Sequence, residues 1–263
     1  MTTTNLTTAK LVSSPRAELR SRAQKLGLWG LLAHWEEIEE APWIETVLGY
    51  EEEERQKRSL ERRLQRAKIG PFKPLCDFNW SWPTKIDREQ VEDLFRFEFL
   101  KENANVIFVG TNGLGKTMLA QNLAHQAILR GYTARFTNAS ALLSELGAQE
   151  TGSALSRALR RYFEPQILVI DEVGYLSATA KHADLLFEVI TRRYQQKSTV
   201  LTTNKTFGEW NQVFPNAGCI VGLIDRLIHK AEIVEIQGES YRVKEAKERE
   251  ALRAKERKTR RKP

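Results

Sequence analysis

Residues 110–117, Gly-Thr-Asn-Gly-Leu-Gly-Lys-Thr, fit the pattern G-x-x-x-x-G-K-[ST]. Such a run serves to hold a polyphosphate. Glycines let backbone amides approach phosphate oxygens, and a helix that starts at the end of the run points its N-terminus at the anion. In that role Gly110, Thr111, Asn112, Gly113, Leu114 and Gly115 form the cradle. Lys116 holds the β- and γ-phosphates, and Thr117 ligates Mg²⁺. The stretch "QILVIDEVGYL", residues 166–176, adds an acid pair at the end of an apolar run. Asp171 would hold the Mg²⁺ shell, and Glu172 would orient or deprotonate the attacking water. A third run, "STVLTTN", residues 198–204, ends in Asn204. That amide either positions the water, reads the γ-phosphate, or simply ends the strand as a turn residue. "NKTF" departs from the N-K-x-D pattern that reads guanine, so ATP is the expected nucleotide.

For these groups to meet, each must stand at the carboxyl end of a strand in one sheet. The chain supplies such strands as short apolar runs at 106–109, 133–137, 167–170, 199–202 and 233–236. Helical stretches lie between them, notably 116–130 and 183–195. Apolar strands alternating with helices predict an α/β fold with a parallel sheet buried on both faces. Upstream, Ser14-Pro15 reads as a helix start, with Leu19, Ala23, Leu26 and Trp29 at helical spacing. After a break at Ala41-Pro42, Glu-first pairs four residues apart support a second helix over 44–67. "IGPFKP", residues 69–74, reads as a linker, and Asp87 to Gln90 as a capping box opening a helix to about Lys101.

The charge is unevenly placed. The chain carries a net +7, and residues 244–263 hold ten Lys/Arg against four Glu, so the tail accounts for most of the excess. Residues 36–54 hold nine glutamates and no basic residue, whereas 55–73 hold eight basic residues and one acid. Adjacent blocks of opposite sign suggest a face for a polyanion on the basic helix, carried by Arg58, Arg62, Arg63 and Arg66, or else ordinary solvated helix faces. The tail reads as a lone helix or an unfolded segment, without a core of its own.

With 41% hydrophobic residues, the chain has enough apolar material for a sizeable core. No run approaches the roughly 20 apolar residues of a membrane helix, and the polar N-terminus lacks a secretory signal, so a cytoplasmic protein is expected. Cys76 and Cys219 read as reduced and structural. His34, His125, His182 and His229 lack metal spacing. The tryptophans at 29, 35, 43, 80, 82 and 210 read as packing anchors, and Arg192 and Arg193 as a solvated helix end.

The order of these motifs resembles the AAA+ ATPases of the DnaC/IstB type, and more closely the IstB-like transposition helper proteins of bacterial insertion sequences. The carriers are "DFNWSWPTKIDREQVEDL", "NVIFVGTNGLGKTMLAQNLA", "ILVIDEVGYL", "TTNKTFGEW" and "LIDRLIHKAEIVEIQGESYR". They cover nearly the whole chain. The resemblance implies a P-loop AAA+ sheet preceded by a small N-terminal helical domain. It also implies an ATP-dependent homo-oligomer that binds duplex DNA and assists a partner transposase, with no strand-transfer chemistry of its own. By position, 110–117 match Walker A, Asp171-Glu172 match Walker B, Asn204 matches sensor 1 and Arg226 matches the arginine finger. Thr111-Asn112 stands where prolines are common, and Met118 where histidine is common. No helical lid follows Arg242, so a second sensor arginine is expected to be absent and a neighbouring subunit to complete the site. The implied division is a DNA-binding and assembly domain at 1–70, an ATPase domain at 71–243 and a basic tail at 244–263. The competing readings are a helicase loader of the DnaC type and a DNA-bridging protein that holds ATP without turnover. Glu172 argues against the bridging protein, and no phosphoacceptor pocket supports a small-molecule kinase.

Overall fold

Helices form first along the chain. The computed structural model describes residues 15–174, 179–214 and 218–260; Ser14, the expected cap, lies outside them. Helices α1 (Pro15–Lys25), α2 (Trp29–Ala33), α3 (Trp35–Ile38) and α4 (Ile44–Ala67) follow one another. Ala23, Leu26, Trp35, Ile44 and Leu48 form their shared core, because helical spacing places these apolar residues on facing sides. Arg22 donates to both carboxylate oxygens of Glu52, at 2.9 and 2.8 Å, which pins α1 to α4. The chain divides into two compact units, one up to Arg62 and one from Arg63 onward.

In the second unit, a 3-10 turn at Leu75–Asp77 precedes α5 (Arg88–Leu94) and α6 (Glu98–Lys101). Asp87 caps α5 by accepting from the Gln90 amide at 2.9 Å. The single helix expected to reach Lys101 is broken. Phe97 takes a left-handed φ of 63° and buries its ring, so the core contact overrides helix continuity.

Strand and helix then alternate. The elements are β1 (Asn105–Gly110), α7 (Lys116–Leu129), β2 (Ala134–Asn138), α8 (Ala139–Gly147), α9 (Gly152–Phe163) and β3 (Ile167–Val173). They continue with α10 (Ala180–Arg193), β4 (Ser198–Thr203), α11 (Trp210–Val213), α12 (Ile220–Ile228), β5 (Ala231–Ile236) and α13 (Tyr241–Arg260). All pairings are parallel, in the order β2-β3-β4-β1-β5. The chain thus leaves β1 and crosses over β4 and β3 to reach β2, which opens a crevice at the carboxyl end of β1. Ile107, Leu168, Ile170 and Leu201 pack under α8–α12 around Trp210. The fold is the expected α/β one, a parallel sheet flanked by helices with a helical region before it. No described helix is long and apolar enough to cross a membrane.

The tail is helical from 244 to 260, in α13, which begins at Tyr241 against the 110–117 loop. One expectation fails here. Arg193 is not a solvated helix end: it is 1% exposed. Its guanidinium donates to the carbonyls of Tyr162, Pro165, Gln166 and Ser198 and to the Thr199 hydroxyl. Those groups open β3 and β4, so Arg193 ties the entry ends of two strands together, and burial holds its pKa below the usual value. Arg193→Met would leave these carbonyls without their donors inside the protein. We expect a loss of about 3 kcal/mol in stability, read as a lower urea midpoint. An unchanged midpoint would refute the role.

Candidate functional site

The 110–117 loop closes around its own lysine. Lys116 opens α7 and is buried; its Nζ donates to the Gly110 carbonyl at 2.6 Å and the Thr111 carbonyl at 2.7 Å. Burial pushes its pKa down to about 8; Asp171 and Glu172 oppose that shift, and Arg242 adds to it. Gly115 has φ 88°, and a Cβ there would lie 2.5 Å from the Phe78 ring. Gly113 has φ 78°, and its Cβ would lie 2.1 Å from the Ser240 hydroxyl oxygen. Only glycine fits either position, and the cradle is therefore built by its neighbours as much as by its own backbone.

The acids arrive through an irregularity in the sheet. Ile170 pairs with Leu201 and Val173 with Thr203, so Asp171 and Glu172 together oppose the single residue Thr202. Glu172 takes a left-handed φ of 60°, which is uncommon for a residue with a side chain. The bulge lets consecutive residues serve different places: Asp171 is buried, and Glu172 is exposed and lines the pocket. Asp171 accepts from the Thr117 hydroxyl, with both carboxylate oxygens at 3.0 Å. Thr202 donates its hydroxyl to Asp171 and accepts the Glu172 amide at 2.9 Å. Sequence reading missed Thr202, since a threonine inside a strand carries no signal of its own.

A cavity of about 360 Å³ opens over Gly113 to Met118, with Glu172 and Thr202 along it. Its wall comes from two distant stretches held edge to edge. Thr84 donates to the Gln237 carbonyl and Gln237 to the Lys85 carbonyl, both at 2.9 Å. Trp82 donates through its indole to the Glu239 carbonyl at 2.7 Å, and the Tyr241 amide donates to the Gly113 carbonyl at 2.9 Å. Trp82 meets Tyr241 edge-on, and the Lys244 ammonium sits 4.4 Å above the Trp82 ring. Arg242, on the first turn of α13, lines the cavity. The expectation of no second sensor arginine rested on the absence of a helical lid after Arg242; Arg242 itself stands at the cavity on α13.

The other expected residues lie elsewhere. Asn204 follows β4 outside the cavity lining, with its side-chain oxygen buried, without a hydrogen-bond partner, against Gly174. Arg226 is on α12, also away from the cavity; it donates to the Gly222 carbonyl at 2.9 Å and covers the Phe187 ring at 4.8 Å. Arg58, Arg62 and Arg66 are exposed on α4 at four-residue spacing, while Arg63 is half-buried and Arg58 pairs with Glu54. Trp35 and Trp210 are buried anchors as expected, but Trp29 and Trp43 face solvent. Cys76 and Cys219 are free thiols. No group of three metal-ligating side chains occurs among the described residues, so a cation here would take its remaining ligands from bound phosphate or water.

Residues 23–249 match the family of IstB-like ATP binding proteins. A protein of Geobacillus stearothermophilus, named for ATP binding in insertion sequence IS5376, is 32% identical over 82% of this chain and 88% of its own. A Pseudomonas aeruginosa protein, named likewise for insertion sequence IS21, is 35% identical over 73% of this chain and 72% of its own. Among solved structures, DnaI superposes with a TM-score of 0.51 at 18% identity, over 64% of this chain and 89% of its own. The replication initiator DnaA gives 0.50 at 18%, over 62% of this chain and 52% of its own. These two likenesses concern the fold.

Proposed function

This chain belongs to the family of IstB-like ATP-binding proteins, and from that premise we propose that it is an ATPase of an insertion sequence, assembling on duplex DNA to assist a transposase. The observation that carries the reading is the convergence of Lys116, Thr117 and Glu172 on one pocket, with Asp171 behind it bonded to the Thr117 hydroxyl. Lys116 holds the terminal phosphates from within the loop, and Arg242 faces the same anion from α13. The Thr117 hydroxyl and the Asp171 carboxylate, 3.0 Å apart, are hard oxygen donors of the kind Mg²⁺ takes. When bound, the ion neutralises charge shared between the β- and γ-phosphates. Glu172, held at the bulge by Thr202, orients the attacking water and accepts its proton. Asn204, close behind Gly174, acts through the position of that loop. Arg226 serves a neighbouring copy.

Lys116→Ala tests this reading. Loss of a buried charged donor is expected to weaken ATP binding roughly 10- to 150-fold, measured by calorimetry. Wild-type affinity should also fall as pH rises past about 8, because a neutral Lys116 must regain a proton to meet the phosphates. A variant that binds ATP at native affinity would end the assignment.

The helical domain at 1–70 and the tail at 244–263 supply the DNA contacts, flanking the ATPase domain at 71–243, in a protein of the cytoplasm. Each phosphate neutralised adds roughly 0.9 to the slope of log affinity against log salt. Arg62→Glu with Arg63→Glu should weaken binding to all duplexes alike and flatten that slope. A non-hydrolysable ATP analogue should raise affinity by multiplying contacts along one duplex. A salt titration with and without the analogue measures both; affinity indifferent to salt and nucleotide would favour the helicase-loader reading. The relatives named for insertion sequences favour the transposition role.

A further inference from the structure

Three large side chains near the start of α4 face solvent. Trp43, Val47 and Tyr50 are 46%, 39% and 68% exposed. Their i, i+4, i+7 spacing puts them on one helix face. Ile44 and Leu48 point the other way, into the core with Trp35, so this unit buries its own apolar face without the stripe. The stripe runs on into Glu51 and Glu54, which pair at the surface with Arg55 and Arg58, exposed pairs that an incoming cation can share. The segment 36–54 carries nine glutamates with no lysine or arginine. Aromatic rings in an acidic field suit one chemistry, a lysine- and arginine-rich segment. Its cations sit over the rings, its carbon stems cover apolar surface, and the glutamates balance its charge.

This chain makes such contacts elsewhere: Lys244 over Trp82 at 4.4 Å, Arg88 over Trp80 at 5.1 Å and Arg226 over Phe187 at 4.8 Å. It also carries the complementary segment. Residues 244–263 hold ten Lys/Arg against four Glu, and Lys247, Arg249 and Arg253 are exposed on α13. We infer that the Trp43–Val47–Tyr50 face of one copy docks the basic C-terminal segment of a second copy. The inference rests on the homo-oligomer proposed above. Duplex DNA is the wrong occupant for this face, since its phosphates would meet glutamates; it competes for the basic segment instead. The face would thus hold subunits together before DNA arrives and release the tail to the duplex afterwards. A single helix-sized contact is weak alone and gains strength from repetition in an assembly.

The test uses the full chain with a photo-crosslinking amino acid in place of Val47, mixed as unlabelled and ¹⁵N-labelled copies. Expected are cross-links from position 47 to residues 244–263, many of them joining chains of different isotope. They should fall several-fold in high salt, on addition of duplex DNA, and in the Lys247→Glu, Arg249→Glu, Arg253→Glu variant. Sedimentation without nucleotide should show the same loss of association for Trp43→Ala with Tyr50→Ala, surface changes that leave ATP affinity native. Cross-links confined to single-isotope chains would mean the tail docks on its own copy and would overturn the inference. So would cross-links to another region, or none. ATP-promoted DNA binding that persists without these cross-links would sink this inference alone and leave the ATPase reading standing.

Discussion

Arg226→Ala protein is expected to bind ATP near native affinity and to lose turnover by roughly 10³–10⁵, the range an arginine finger contributes. In its own chain Arg226 rests over Phe187 and Tyr194 at 4.8 and 5.9 Å, away from the cavity that holds Lys116. Its half-buried guanidinium is thus held by aromatic faces away from its own pocket, and in the proposed assembly it would serve a second copy. Loss of the side chain should therefore spare binding and remove the charge that meets the γ-phosphate in the transition state. Mixing the variant with Lys116→Ala protein should restore part of the activity, since a mixed interface pairs an intact pocket with an intact arginine. Mixtures that co-assemble yet stay inactive would rule out the action in trans.

The second large effect is at Glu172. Glu172→Gln keeps the size, the bulge and the backbone bond to Thr202, and removes only the capacity to accept a proton. Turnover should fall roughly 10²–10⁴-fold, the usual worth of general base catalysis, while ATP remains bound and the assembled state accumulates on DNA. Single-turnover hydrolysis and sedimentation of the same samples read both consequences. A Gln variant that hydrolyses ATP at the native rate would remove Glu172 from the mechanism. Thr202→Val offers a graded companion: it deletes the hydroxyl that positions both acids and should reduce turnover with less effect on binding.

β1, β3 and β4 were legible because each is a short, largely apolar run leading to a polar group, and the groups at those ends belong to known chemistry. Gly110 to Thr117 run on from the end of β1 and Asp171-Glu172 lie at the end of β3, both at the carboxyl side of one sheet with β4 between them. What stayed hidden depended on partners far along the chain. Arg193 looked solvated because arginine usually is, and only the strand-entry carbonyls around it explain its burial. Arg242 reaches the pocket because the Tyr241 amide bonds Gly113, a contact without local sequence signature. Thr202 matters through a bulge that no periodicity announces. The break at Phe97 follows from the burial of its ring, whereas propensity alone favours one helix.

The pocket wall assembled from residues 82–85 and 237–241 has a consequence for how the protein comes into being. A nascent chain that has emerged as far as β5 already contains every motif residue from Gly110 to Arg226, yet one side of its nucleotide site has still to be made. Gly113 of the cradle still lacks the Ser240 surface, and the ring of Trp82 has no Tyr241 to meet. Nucleotide capture is thus a late event in biogenesis, one that requires the chain from Lys73 to Glu245. ATP at about 100 times its dissociation constant would then favour the finished fold by about 2.7 kcal/mol. Such a ligand selects molecules with a finished pocket wall over ones cut short before Tyr241.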